Sequence, residues 1–484
     1  MSQFTLGSLV RAISAGEIGK KVTAEIRSLE GHVNKLLVDF TRSEISAAAL
    51  FELENQLELV MRQFCLRIVQ WILGTLEAKL RDMPKAIEHK GKSFRQLREK
   101  STRKDILTRF GKVELTRARY RNGREGETIF PVEMVLGIER GFSPAAADLA
   151  GKQFAATGSS QGRTIEAIRE RTGVTIGAEK LRGLVDTLSN SLEPYREETQ
   201  VERLSEMLQK ARESGGKPVL SVSRDGVSLG IAPWGYFEMA SVACISVMVK
   251  GKRLGTVYLA RSPEENQATL SKQLTSLLKA ILRRCGKTLP EVAYVTDAGK
   301  VETAYWENEL KRFTLEGRRI RITRVVDYYH ASQRLTVIAD ALKFGSEKQR
   351  NEWLKHVQGL MREPDGHGRV LRSIAHKQKQ LGQKSSKTED ATKAEQYLRR
   401  YKSFMNYSDL KSRGFPIGSG VVESACKQIV SERMKLAGML WSREGGQKAM
   451  TLRCLLLSKI WGAVYDKWLR SKPTVSDFTV LQAK

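Results

Sequence analysis

With 484 residues and 41% hydrophobic side chains, the chain has room for about three domains with buried cores, which excludes a disordered protein. Its 82 Lys and Arg against 54 Asp and Glu leave a net charge of +28, beyond what solubility requires, so a polyanion, above all nucleic acid, is the expected partner. There is no run of about 18 apolar residues, no signal-peptide pattern in residues 1–21 and no pairing among the five isolated cysteines, so no membrane partner and no disulfide framework are expected, and the expected location is cytoplasmic.

Residues 1–80 read as an N-terminal helical region. From Ser43 to Leu80 the apolar residues Leu50, Leu53, Leu57, Val60, Phe64, Ile68 and Trp71 recur at steps of three and four, a long helix that packs on its own domain or on a second copy. Residues 81–216 read as a basic DNA-binding region. Arg81 to Arg121 carries 14 Lys and Arg against 5 Asp and Glu, a solvated face or a phosphate-binding one. Within it KVELTRARY alternates as a strand, with Val113 and Leu115 on one face and Arg117 and Arg119 as candidate DNA contacts. Ser143 and Pro144 open a helix. Thr164 to Arg171, a turn at Gly173 and a helix from Gly177 to Leu192 have helix-turn-helix spacing, which two packed helices in any core share; Lys180 and Arg182 are its candidate contacts. Ala211 to Lys217 reads as a linker.

Residues 217–330 alternate strands and helices: strands at Val219–Leu229, Phe237–Val249 and Arg253–Ala260, a helix at Asn266–Arg284, a strand at Val292–Thr296, a helix at Thr303–Phe313 and a strand at Arg319–Val326. That order predicts an α/β fold with a ribonuclease-H-like core. Residues 331–413 read as an all-helical insertion with loops at Glu363–Gly368 and Gly382–Thr388. Residues 414–470 complete the core, and 471–484 form a tail that is loose from Val475.

Three acids stand out. Asp225 ends the apolar part of VLSVSRDGVSLG, Asp297 ends the strand in PEVAYVTDAGK, and Glu423 lies in the first helical turn of GSGVVESACK. A carboxylate at a buried strand end is costly unless it meets a cation, and an oxygen-only set suits Mg²⁺. Each acid also has a plain structural reading: a hairpin turn for Asp225, a helix N-cap for Asp297, a favourable helix-dipole partner for Glu423. The predicted topology favours a shared site, because it places Asp225 and Asp297 on neighbouring central strands.

SRDGVSL around Asp225, VTDAG around Asp297, VVDYYHA around Asp327 and His330, and the block from Phe415 to Arg453 make most of residues 219–455 resemble DDE transposases of bacterial insertion sequences. The likeness is to the Kra-type lineage, related to Mutator-like transposases. The resemblance implies a catalytic, metal-binding triad of Asp225, Asp297 and Glu423, holding two Mg²⁺ ions for which Mn²⁺ can substitute. It implies an accessory pair, Asp327 and His330, and double-stranded DNA as partner, both transposon ends and target. It further implies a homo-oligomer on DNA and association with the nucleoid. Lys427, one turn past Glu423, would hold a phosphate, and Arg433, Lys435 and Arg443 would extend that surface; Trp441 would stack on a base or belong to the core. The absence of cysteine between Cys65 and Cys244 departs from similar proteins and argues against a zinc ribbon in the basic region. The expected reaction is in-line attack on a phosphodiester by water or a 3′-hydroxyl. Two alternatives are a structure-selective nuclease on the same fold and a catalytically silent, transposase-derived DNA-binding protein.

Overall fold

The computed structural model describes residues 15–80, 84–97, 102–382 and 388–481. Parts of the basic run (81–83 and 98–101), of the second insertion loop (383–387) and of the tail (482–484) lie outside the described residues, as do residues 1–14. The chain is mixed α/β and divides into two compact units. Among the described residues no helix is long and apolar enough to cross a membrane.

The first unit comprises Met1–Phe154, Ser159–Ser191 and Tyr465–Lys484. Helices Ala15–Arg42 and Ala47–Leu80 lead into two small sheets. In one, Thr102–Thr108 pairs antiparallel with Gly111–Arg117, and the predicted alternation holds: Val113 and Leu115 are buried while Lys112 and Glu114 are exposed. In the other, the strand Ala86–His89 is flanked by Lys92–Gln96 and, at the sheet edge, by Thr479–Val480. The expected loose tail is therefore an edge strand up to Val480. Its anchor is Phe478, 3% exposed and stacked on His89 at 4.5 Å between ring centroids. Helices Gln161–Thr172 and Ala178–Leu192 form the predicted pair: the Ser160 hydroxyl caps the first by accepting from Arg163 N–H at 3.1 Å, and Gly173 ends it at φ 72°.

The second unit comprises Ala155–Gly158 and Leu192–Val464. Residues 192–216 thus belong with the central sheet and not with the basic region. The reason is α1 (Arg196–Glu213), whose Leu204, Met207, Leu208 and Ala211 are buried against the sheet; an apolar stripe outweighs the polar end that reads as a linker. Strands β1 (Pro218–Ile231), β2 (Tyr236–Val249), β3 (Lys252–Arg261), β4 (Glu291–Thr296) and β5 (Ile322–Val326) form one sheet in the order β5-β4-β1-β2-β3. β1, β2 and β3 are antiparallel neighbours, and β4 and β5 run parallel to β1. Side chains alternate: Val222, Ile245 and Tyr294 face α1 and α2 (Ala268–Cys285), while Val219, Ala293 and Val325 face the helices that follow β5. On the first face α3 (Lys300–Tyr305) continues into a π turn, Trp306–Leu310.

The Asp-Gly at 225–226 is not a turn. β1 runs six residues past Asp225, paired to β2 throughout, and the hairpin turns at residues 232–235, where the Ala232–Pro233 peptide is cis. The helices after β5 are α4 (Tyr328–Ala341), Glu347–Leu360, Gly366–Gln380, Glu389–Arg400 and Tyr407–Ser412, and α5 (Gly420–Cys426) follows them.

Candidate active site

The parallel pairing places Val222 beside Tyr294 and Thr296 beside Val326. Counting on, Asp225 lies three residues past Val222, Asp297 three past Tyr294, and Asp327 one past Val326. The three acids therefore share one row: Asp297 and Asp327 lie just past the carboxyl ends of β4 and β5, and Asp225 lies within β1 beyond the end of its parallel pairing, near the usual position of sites in sheets of this kind. β4 ends at Thr296 while β1 continues, paired to β2 alone, so Asp225 lies where β1 has lost its parallel neighbour.

Asp225 Oδ1 accepts from Gly226 N–H at 2.7 Å, and its other oxygen lies 3.9 Å from Cys426 Sγ. Burial pushes the Asp225 carboxyl up to about 6, and the Asp297 and Glu423 carboxylates push the same way; the Gly226 N–H and His330 oppose them. Cys426 lies on α5, the helix that carries Glu423, so α5 packs against β1 beside Asp225. Asp297 Oδ1 accepts from Gly299 N–H at 2.9 Å, and its carbonyl oxygen accepts from the Tyr397 hydroxyl at 2.7 Å. The helix Glu389–Arg400, within the expected insertion, thus braces the loop that carries Asp297.

Asp327 is fully buried and caps α4. Its Oδ1 accepts from the backbone N–H groups of Tyr329 at 2.5 Å and His330 at 3.1 Å, and its Oδ2 accepts from both the N–H and the hydroxyl of Ser419. The Ser419 hydroxyl also lies 3.0 Å from Glu423 Oε1, which stands 3.3 Å from His330 Nε2. Ligand atoms of Asp327, His330 and Glu423 lie within 4.8 Å of one another, a spacing that a metal ion can span. Four hydrogen bonds saturate Asp327, however, so the open members of this group are His330 and Glu423. Asp327 is the N-cap of α4, and its bonds to Ser419 tie the end of β5 to the turn before α5. Gly418 completes that turn: a Cβ there would stand 3.0 Å from the Tyr329 ring.

A further acid escaped the sequence reading. Glu302, in the first turn of α3, is 7% exposed, and burial raises its pKa, with Asp297 and Asp225 adding to the rise. Its only sequence signal is its position five residues after Asp297, where a first-turn acid attracts no notice.

The candidate DNA contacts fall into two groups. Arg182, Lys427, Lys435 and Arg443 are exposed, although Lys435 donates to Ser228 Oγ at 3.0 Å and Arg443 forms a forked pair with Glu238 at 2.6 and 2.7 Å. The others are engaged within the fold. Arg433 is 1% exposed, its guanidinium 5.3 Å above the Trp441 ring, and burial lowers its pKa to about 10, so it belongs to the core and not to a phosphate surface. The Trp441 indole N–H donates to the Met434 carbonyl at 3.0 Å and its backbone pairs with the end of β1, which supports the core alternative over base stacking. Arg117 is paired with Glu133 and lies 3.8 Å above the Phe130 ring, and Arg119 is half-buried. Lys180 is half-buried beside Phe142, its pKa lowered by burial and by Lys104.

Among the described residues the group whose ligand atoms could share one ion is Asp327, His330 and Glu423; Asp225 and Asp297 are not part of it. No protein-family model matches this chain, and no curated protein is significantly similar to it.

Proposed function

We propose that the chain is a DDE-type transposase with a ribonuclease-H-like core, which binds transposon ends and catalyses Mg²⁺-dependent cleavage and strand transfer. The observation that carries this reading is the row of acids along three adjacent parallel strands, with α5, which bears Glu423, placing its Cys426 Sγ 3.9 Å from Asp225. The sheet order β5-β4-β1-β2-β3 and the helices interposed between β5 and α5 support it, as do the net charge of +28 and the resemblance of residues 219–455.

In this reading Asp225, Asp297 and Glu423 would hold the Mg²⁺. When bound, the ions supply charge stabilisation at the attacking and leaving oxygens of the phosphodiester. The chain's own part is positioning. Asp327 and Ser419 set the start of α5, His330 orients Glu423, and Tyr397 sets the loop of Asp297. Exposed Lys427 and Arg182 contribute phosphate contacts, and the protein acts as a homo-oligomer on DNA.

The experiment is incubation of the protein with Mg²⁺ and DNA carrying the sequences that flank its coding region. Cleavage at a defined end followed by joining to a second duplex supports the transposase. Cutting without joining assigns a nuclease, and binding without either assigns a silent DNA-binding protein.

A further inference from the structure

Between α2 and α3, on the sheet face away from α4, lies a groove of about 960 Å³ that none of the chemistry above uses. Its charged lining is Lys272, Lys279, Arg283 and Lys300 against Glu309 alone, with Asn308 beside them. Lys272, Lys279 and Arg283 follow one another at intervals of seven and four residues, which keeps them on one face of α2. The eleven steps from Lys272 to Arg283 span about 16 Å of helix, so the cations are strung along a line and do not converge on one point. Lys300 opens α3 immediately after the Asp297–Gly299 turn, and the groove therefore begins at the carboxylate corner. Lys272, Arg283 and Lys300 are exposed; among the described residues Lys272 and Lys300 have no carboxylate within 4.0 Å, and the contact of Arg283 with Glu316 at 3.3 Å is an exposed one.

The floor is tied to β1. Buried Arg224, the neighbour of Asp225, donates to Ser271 Oγ at 2.9 Å and lies 4.7 Å from the Tyr305 ring, and both of these residues line the groove. A π turn continues α3 along the groove wall, a feature that α-helices often carry at functional sites.

We infer that this groove binds the phosphate backbone of a single nucleic-acid strand leaving the carboxylate corner. A linear row of cations fits successive phosphates, whereas a small anion would call for converging donors. A recess of this volume is at the upper end of small-ligand pockets and admits one strand between the helices, not a duplex. The inference rests on the nucleic-acid reading above and does not require cleavage.

The test is equilibrium binding of a fluorescent single-stranded oligonucleotide in EDTA, titrated over salt, with wild type and Lys272→Ala/Lys279→Ala/Arg283→Ala. A second triple variant, Lys348→Ala/Lys355→Ala/Lys379→Ala, removes the same charge from exposed positions of the helices after β5. For three phosphate contacts the slope of log K against log salt should shrink by about 2, and affinity at 0.1 M salt should fall on the order of 100-fold. The control variant should keep the wild-type slope and melting temperature; in the groove variant only half-buried Lys279, 5.8 Å from the Phe313 ring, adds a packing loss, and circular dichroism at the assay temperature should show both variants folded. An unchanged slope in the groove variant, an equal loss in the control, or no binding by the wild type would each overturn the inference. Groove-dependent binding by a protein that never cuts DNA would leave the groove standing and remove the transposase reading.

Discussion

Asp327→Asn separates a structural cap from a metal ligand. The wild-type carboxylate accepts four hydrogen bonds in full burial, two from the start of α4 and two from Ser419. An amide keeps one acceptor oxygen, so whichever way it turns, an NH₂ group meets two donors. Removing one partner from a buried charge-assisted network costs about 3–5 kcal/mol, which for a unit of this size lowers the melting temperature by roughly 6–10 °C. Ser419→Ala removes only the hydroxyl's share and should cost about 1–2 kcal/mol. The double variant should fall short of the sum by more than 0.5 kcal/mol, because the two residues share bonds. Thermal and urea unfolding in EDTA measure all three. If Asp327 were instead one of several acids awaiting a metal, its neutralisation would relieve repulsion. Equal or higher stability of Asp327→Asn in EDTA would refute the cap.

Asp225 gives a pH prediction of known sign. Its folded pKa of about 6 lies above the ordinary 3.8, so between those values the folded state binds more protons and stability falls as pH rises. Above pH 6 the ionised group costs roughly 3 kcal/mol, so Asp225→Asn in EDTA should be more stable than wild type by up to that amount at pH 8, and the gap should close below pH 4; no gap at pH 8 would contradict the burial of this carboxylate near other acids. Tyr397→Phe deletes the hydroxyl that holds the Asp297 carbonyl, so cleavage should slow at least tenfold for a stability loss of only about 1 kcal/mol; unchanged cleavage would show that the loop needs no brace. Arg433→Met should leave the salt dependence of duplex binding unaltered, whereas Lys427→Ala should reduce its slope by about 1; the reverse order would return Arg433 to the DNA surface.

The sheet was readable because its strands are apolar runs bounded by Gly, Pro and charged residues, and the ends of β2, β3 and β4 fall within one residue of expectation. Asp-Gly after an apolar run usually turns a hairpin; here β2 pairs on past Asp225, and what ends just before it is the pairing with β4. Local pattern sees a turn dipeptide but not which neighbour a strand loses. The same limit hid Glu302 and the role of Ser419, whose partner Asp327 lies 92 residues away in the chain. Charge alone could not separate Arg433, buried against Trp441, from exposed Lys435 two residues on. The edge strand at Val480 was invisible because two residues of strand carry no period.

The most direct measurement of the central claim is the single-turnover rate of end cleavage in Mg²⁺ for wild type, Asp225→Asn, Asp297→Asn and Glu423→Gln on the same DNA. The account predicts cleavage by the wild type and a fall to background in each variant, with end binding retained, because the three carboxylates act as one unit. Wild-type cleavage by any one of the three would contradict it.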